Sequence, residues 1–383
     1  MKKLLSLVGL IVIAVFIVAC GGGSPVEPEA EEPETVEAIE EEAVEVVEKE
    51  ETADEDQDTT VEESMDDKGD GSTQMFTDDN GRTIEIPANP QKILFAGTEH
   101  AAQVTSLGYV PYAMIDSYGG EFATILEGIG GDVGDLSSVI NVGNVDDEPN
   151  LEKILEIEPD LIVWWYWDPE IVDQLQQLAP TIALNPRVNG PGGYEGPGGP
   201  RYSKQRTFAS LVGLEAELDA QIAEYDSLLA DVKARHGDLL ADLEWNFLDT
   251  GDTFDPHMYD LDRFEAWAYV AVMRDLGMAP SAAMVEATRT GFGYDENFGY
   301  AQVSLEVVGD YSADLLFVGR YDEAPIGDQL QTLLNGTPPG QANQIFRVDS
   351  NKWAYHLIQS EIGVLTDVAA ILDAGVENVG DFD

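Results

Sequence analysis

From residue 76 onward the chain alternates short uninterrupted apolar runs with longer stretches of helical period. The apolar runs at 92–96, 112–115, 181–184, 245–248 and 344–348 read as buried strands. The periodic stretches at 99–107, 169–178, 263–276 and 362–372 read as helices. A hairpin over 76–87 precedes them, with Asp79-Asn80-Gly81 as the turn and Thr83-Ile84-Glu85-Ile86 as the alternating return strand. A Gly-rich excursion fills 119–134, and a Gly and Pro run at 189–200 reads as loop. Out of that loop comes the longest helical pattern, from about Ser203 to Arg235, with Phe208, Leu211, Leu218, Ile222, Tyr225, Leu229 and Val232 on its apolar stripe. A helix of about thirty residues spans roughly 45 Å, too long for one lobe. The pattern therefore predicts an α/β protein with two Rossmann-like lobes of mainly parallel sheet joined by a single long α-helix, with a cleft where the carboxyl ends of the sheets face each other.

The two halves share an internal echo. Residues 150–167 align without a gap on 304–321, matching Leu151 with Leu305, Glu152 with Glu306, Asp160 with Asp314 and Leu161 with Leu315. Each copy reads as helix, turn and buried strand. Asn150 or Ser304 caps the helix, and Glu152 or Glu306 lies in its first turn, where an acid complements the helix dipole.

The first 75 residues lie outside this pattern. Lys2 and Lys3 precede an uncharged run from Leu4 to Ala19, short for a membrane span and laid out like a secretory signal over residues 1–20. It ends at Ile17-Val18-Ala19-Cys20-Gly21, which resembles a bacterial lipobox, and Cys20 is the single cysteine of the 383-residue chain. A lone cysteine forms no internal disulfide, so lipidation of Cys20 explains it better than a structural role. Residues 21–75 are rich in Glu, Asp, Pro and Thr, and read as an acidic disordered tether. Expected domain bounds are then 76–202 for the N-terminal lobe, 203–236 for the connecting helix and 237–383 for the C-terminal lobe.

Charge narrows the partners. The formal net charge is -55, and the body is acidic as well as the tether. The basic footprint of a nucleic-acid binder, or of a protein that sits on an anionic membrane surface, is missing. The acidity suits a salty medium, where screening reduces self-repulsion.

Lipobox, tether, "DDNGRTIEIPANPQKILFAG", "PNLEKILEIEPDLIVWW", "LAPTIAL", the "ASLVGLEAELDAQIAEYDSLLADVKAR" helix and "VSLEVVGDYSADLLFVG" together resemble the solute-binding lipoproteins of iron-siderophore ABC importers. The likeness spans about 76–375 and rests on the order of segments rather than on one signature. It implies a class III periplasmic-binding-protein fold, a ferric siderophore as transported ligand with no intrinsic cofactor, and an ABC permease with its ATPase as partners. It also implies a monomer lipid-anchored on the outer face of the cytoplasmic membrane. In that family one exposed glutamate on each lobe docks on permease arginines; the matching positions are Glu152 and Glu306.

A bulky ferric chelate wants a broad aromatic site with a few polar anchors. The residues expected to line it, where strands end at the cleft, are Thr98, Glu99, His100, Tyr118, Trp165, Tyr166 and Trp167 from the first lobe, and His257, Tyr259, Arg320, Tyr321 and Trp353 from the second. Trp164 alternates with Trp165 and reads as core. Arg187, Arg201, Arg206 and Arg320 are the cations near predicted cleft loops, with Arg320 the best candidate for an anion clamp. Scarcity of base favours a neutral or weakly charged hydroxamate or mixed carboxylate chelate.

Haem and cobalamin are the alternatives within the same transporter class. A bare-metal receptor fits less well, since His100, His236, His257 and His356 are the only histidines and fall in separate segments, so no metal site is expected. An enzyme is not expected either: there is no Gly-x-Ser-x-Gly elbow, phosphate loop or dinucleotide fingerprint. A purely adhesive surface lipoprotein would lack a closable cleft.

Overall fold

The computed structural model describes residues 71–376 except 118–121, 130–132, 146, 187–201, 251–255, 260, 262–266, 291–293, 296–299 and 321–327. Cys20 and the tether lie outside the described residues, and no described helix is long and apolar enough to cross a membrane.

A β1 (Thr73–Thr77) and β2 (Thr83–Pro87) hairpin opens the described chain. The first lobe follows as β3 (Ile93–Ala96), α1 (Thr98–Thr105), β4 (Ala113–Asp116), α2 (Phe122–Ile129), β5 (Ile140–Asn144), α3 (Leu151–Ile157), β6 (Leu161–Trp165), α4 (Pro169–Leu175) and β7 (Thr181–Leu184). Its strands form a five-stranded parallel sheet in the order β5-β4-β3-β6-β7. Side-chain alternation divides β6 between two cores: Leu161 and Val163 join Phe95 and Phe208 on one face, while Ile162 and Trp164 join Leu94 and Val172 on the other. This is the double-faced burial that makes parallel strands read as continuous apolar runs.

The predicted long helix is present over Glu215–Leu240, and the first part of the predicted span is a separate helix. α5 (Ser203–Val212) stops at Gly213, whose φ of 69° is left-handed, and α6 (Glu215–Leu240) starts afresh. Glycine takes this conformation at no steric cost, and the turn redirects the chain. α5 places Phe208 and Leu211 in the first lobe's core, whereas α6 commits Leu218, Tyr225 and Val232 to the second.

In the second lobe β8 (Glu244–Asp249) is central, with β9 (His257–Tyr259), α7 (Ala268–Leu276), β10 (Ala279–Pro280), α8 (Ala282–Thr290), β11 (Tyr294–Asp295) and β12 (Tyr300–Gln302) after it. Then come β13 (Leu315–Arg320), α9 (Asp328–Asn335), α10 (Pro338–Gln341), β14 (Ile345–Asp349), α11 (Ser350–Ala354) and α12 (Ile358–Asp373). The sheet order is β11-β12-β9-β8-β13-β14, with β10 also on β8; β8, β13 and β14 are parallel. β9, β12 and β11 are antiparallel additions that the sequence pattern missed.

The echo marks equivalent places in the two sheets. Leu161 pairs with Ile93 on β3, and Leu315 pairs with Trp245 on β8. The aspartate before each strand accepts backbone N–H groups where the neighbouring strand begins: Asp160 from Gln91 (2.7 Å) and Lys92 (2.9 Å), Asp314 from Glu244 (2.9 Å). Replacing Asp160 by alanine leaves two such donors without their acceptor and is expected to lower stability by about 1–3 kcal/mol, measured by chemical denaturation.

The copies differ in their helices. Asn150 caps α3 by accepting from the Lys153 N–H at 3.0 Å. In the second copy the expected helix is a turn, in which the Val307 N–H donates to Ser304 O, followed by a 3₁₀ turn over Val308–Tyr311. Two valines and Gly309 are poor helix formers, which accounts for the loss.

Residues 66–383 form one compact unit, so the lobes are in contact. α2, after β4, packs on α11, after β14; a Cβ built on Gly128 would lie 3.3 Å from Asp349 Oδ2. Gln205 on α5 ties the lobes, donating to Ser106 Oγ and accepting from the Ile358 N–H. Leu357 inserts into the first lobe's core.

Candidate functional site

Chemistry-bearing side chains gather at the carboxyl ends of both sheets. In the first lobe β3 turns into α1 through Gly97, with φ 115° and ψ 149°. This turn is tied to the end of β4 by two bonds, the Thr98 N–H to Ser117 Oγ (3.1 Å) and the Ser117 N–H to Thr98 Oγ1 (3.5 Å). A Cβ on Gly97 would lie 2.8 Å from Trp165 Cζ2, so the missing side chain is what lets the Trp165 ring lie over the turn. His100 on α1 meets Trp165 edge-on at 4.2 Å and its Nε2 lies 3.1 Å from Leu184 O. Trp165, buried at the end of β6, carries Trp167 stacked on it with ring centres 4.2 Å apart, and Tyr166 packs edge-on against Trp167 at 5.2 Å. Trp167 is 54% exposed, a large aromatic face held rigid from below and open above.

The second lobe presents an aromatic chain running outward from its core. Trp353 and Phe247 are fully enclosed, Tyr269 stacks on Phe247 at 4.2 Å, and Trp267 meets Tyr269 at 5.9 Å. Half-buried Tyr259 packs on Trp267 at 4.4 Å, and Tyr300 joins Tyr259 to His257. His356, between Tyr355 and Leu357 of the inter-lobe crossing, meets Trp267 at 6.1 Å. Polar groups accompany this chain at the strand ends: Asp249 accepts from Tyr259 Oη (3.3 Å) and Ser350 Oγ (3.3 Å), and Arg320 Nη1 lies 3.5 Å from Thr250 Oγ1. Burial, reinforced by the Asp249 carboxylate, pushes the Tyr259 phenol far above its ordinary range. It is therefore a hydrogen-bond donor at working pH and a poor source of phenolate for a bare ferric ion. No cluster of three or more His, Cys, Asp or Glu suited to a metal occurs among the described residues.

The structure brings His100, Trp165, Tyr166 and Trp167 together, with Thr98 enclosed below them and Glu99 half-buried beside them. It groups His257 and Tyr259 as a second set, with Arg320 enclosed at the end of β13. Trp353 stands apart: it is 0% exposed, packs on Phe247 and Phe317, and its Nε1–H donates to Asp367 Oδ2 at 2.8 Å. Its indole is satisfied inside the core and is not presented at the sheet end as expected. Tyr118, Arg187, Arg201 and Tyr321 lie outside the described residues, while Arg206 pairs with Asp219 at 2.7 Å. Glu152 and Glu306 are both exposed. Trp267, Tyr300 and Asp249 were not singled out from the sequence; Asp249 directly follows the predicted strand 245–248, so the strand-end rule used in the first lobe would have found it.

Comparison with known proteins bears on the fold. Residues 131–246 match the periplasmic binding protein family. The iron(3+)-hydroxamate-binding protein FhuD of Bacillus subtilis is 22% identical over 296 residues, covering 71% of this chain and 79% of the relative. The Fe(3+)-citrate-binding protein YfmC of the same organism is 24% identical over 293 residues, covering 73% and 80%. Among solved structures, unliganded FhuD2 from Staphylococcus aureus superposes with a TM-score of 0.58 at 17% identity, over 80% of this chain and 100% of that one. Staphylococcus aureus SirA complexed with staphyloferrin B gives 0.55 at 20% identity, over 79% and 99%. The fold is that of these proteins.

Proposed function

We propose that this chain, a periplasmic binding protein of the siderophore-binding type, is the substrate-binding lipoprotein of an ABC importer, and that it captures a ferric siderophore between its lobes and delivers it to the permease. The observation that carries the reading is the Trp165 and Trp167 stack, which holds one open aromatic face at the carboxyl end of β6. A bulky chelate with an apolar rim gains most from a large rigid surface of this kind. The second lobe answers with Tyr259, Tyr300, Trp267 and His257, whose rings extend the aromatic surface offered to a bulky chelate. Relatives named for iron(3+)-hydroxamate and Fe(3+)-citrate support a neutral or weakly anionic ligand, as does the acidity of the chain.

On this reading Cys20 carries the lipid, residues 21–75 span from the membrane to the folded body, and the protein works on the outer face of the cytoplasmic membrane as a monomer. It performs no chemistry on the ligand; release follows docking on the permease and nucleotide hydrolysis by the ATPase. Glu152 and Glu306 lie on the docking side, one per lobe.

Uptake of radio-iron by cells with and without the gene tests the assignment. Loss of uptake of one ferric hydroxamate or citrate chelate, restored by the full chain, is expected. Unchanged uptake of every ferric chelate, with lost uptake of haem or cobalamin, would move the assignment to those ligands.

A further inference from the structure

The enclosed hydroxyl of Tyr269, on α7, has no hydrogen-bond partner among the described residues. A buried phenol in that position is rare in a folded protein, because its water is removed and not replaced. The ring is fixed: it stacks on Phe247 with centres 4.2 Å apart and planes 13° from parallel, and it meets Trp245 and Trp267 edge-on, each at 5.9 Å. Trp245, Phe247 and Asp249 are alternate residues of β8, so their side chains leave the same face of the sheet. Tyr269 therefore lies over the row that ends in Asp249. Trp267, which touches it, also carries Tyr259 at 4.4 Å. Burial pushes the Tyr269 phenol well above its ordinary range, with the Tyr259 phenol and the Asp249 carboxylate adding to the shift. It keeps its proton at working pH and is a donor without an acceptor among these groups.

The acceptor at the end of that row is held loosely. Asp249 is 1% exposed and accepts from Tyr259 Oη on Oδ2 and from Ser350 Oγ on Oδ1, both at 3.3 Å. Hydroxyl bonds to a carboxylate ordinarily measure about 2.5–2.7 Å. Ser350 Oγ fills the space that a side chain at Gly319 would take, so it is the fixed partner and half-buried Tyr259 the exchangeable one. A turn of the carboxylate, with every ring of the core left in place, exchanges one hydroxyl for another. We propose that Tyr269 is a positioning residue for ligand capture: when a chelate oxygen draws the Tyr259 hydroxyl away from Asp249, the Tyr269 hydroxyl takes its place on the carboxylate. This rests on the function proposed above. Without a replacement, Tyr259 turns to the ligand only by leaving an enclosed carboxylate short of a donor, which opposes binding. With one, a bond in the core forms as another breaks, and the bond to the ligand is a net gain.

Tyr269→Phe removes the hydroxyl and keeps the ring. The purified full chain and its variants are unfolded in denaturant and titrated with a neutral ferric trihydroxamate, followed by tryptophan fluorescence. The expected result for Tyr269→Phe is an unfolding midpoint unchanged or raised, since the lost hydroxyl had no partner. Its chelate Kd is expected to rise about tenfold, the worth of one hydrogen bond to a charged group. In a Tyr259→Phe background the same substitution is expected to leave Kd within about twofold, because no hydroxyl remains to be released. A purely structural role would lower affinity equally in both backgrounds, and that result would overturn the proposal. So would wild-type affinity in Tyr269→Phe, which would assign the hydroxyl to a buried water, or a lowered midpoint, which would show a partner already in place. In these three cases the wild type still binds the chelate and the functional reading stands. A wild type that binds no ferric hydroxamate, citrate or catecholate chelate overturns that reading and the proposal with it.

Discussion

Trp165→Ala is expected to abolish chelate binding and to destabilise the protein by about 3–5 kcal/mol, the range for deleting a buried aromatic. Both effects follow from one ring. Trp165 closes the first lobe's second core beside Trp164 and Val172, and it fills the space that Gly97 leaves open. Its upper face carries Trp167 and its edge meets His100. Removing it opens a cavity below and lets the exposed aromatic face collapse, so the binding surface is lost even where the fold survives. Trp165→Phe restores part of the packing and is expected to recover most of the stability while leaving binding weak, since a single ring supports Trp167 over less area. Trp167→Ala, at an exposed position, is expected to weaken binding with little change in stability. Denaturant unfolding and ligand titration on the three variants separate the structural role of Trp165 from the contact role of Trp167. Equal chelate affinity in Trp167→Ala and wild type would remove the platform from the site.

Reversing both docking acids, Glu152→Arg with Glu306→Arg, is expected to abolish uptake while leaving chelate affinity intact. Both carboxylates are exposed, and neither supports the fold through an ion pair among the described residues, so the purified variant is expected to melt like the wild type. Against a permease edged by cations, reversal adds like-charge repulsion at two places at once, a penalty of several kcal/mol. Neutralisation removes steering without adding repulsion and is correspondingly mild. Either single reversal is expected to retain partial uptake because the other lobe still docks. Loss of chelate binding in the double variant would place these acids in the ligand site and sink the docking assignment.

The strands were legible because parallel strands buried on both faces write continuous apolar runs, as β3, β6 and β13 do. The echo was legible for a reason the structure supplies: Asp160 and Asp314 perform the same backbone capping at the start of equivalent strands. The break after α5 was not. Gly213 sits inside an otherwise helical pattern, where an isolated glycine is either tolerated or ends the helix; only the commitment of α5 and α6 to different cores decides. Short strands such as β9 and β12 carry too few residues to show alternation, so the ribbon that places Tyr259 beside Tyr300 could not be read in advance.

Site residues were readable as far as strand ends were readable. Trp165 to Trp167 leave a buried strand together, and three large aromatics there had to pack on one another or stand in solvent; they do both. Trp353 obeyed the same local rule, yet lies in the core because Asp367, on α12, accepts its indole N–H. That partner is distant along the chain and nothing local announces it. Arg320 follows the same pattern: its place at the end of β13 was readable, its enclosure was not.

Titrating the purified full chain with a neutral ferric trihydroxamate, followed by tryptophan fluorescence, tests the central claim most directly. The account predicts saturable quenching at one chelate per chain, with Kd about 1 μM or tighter, lost in Trp165→Ala and not reproduced by uncomplexed ferric ion. A response absent with ferric hydroxamate, citrate and catecholate chelates alike, or reproduced in full by ferric ion alone, would contradict it.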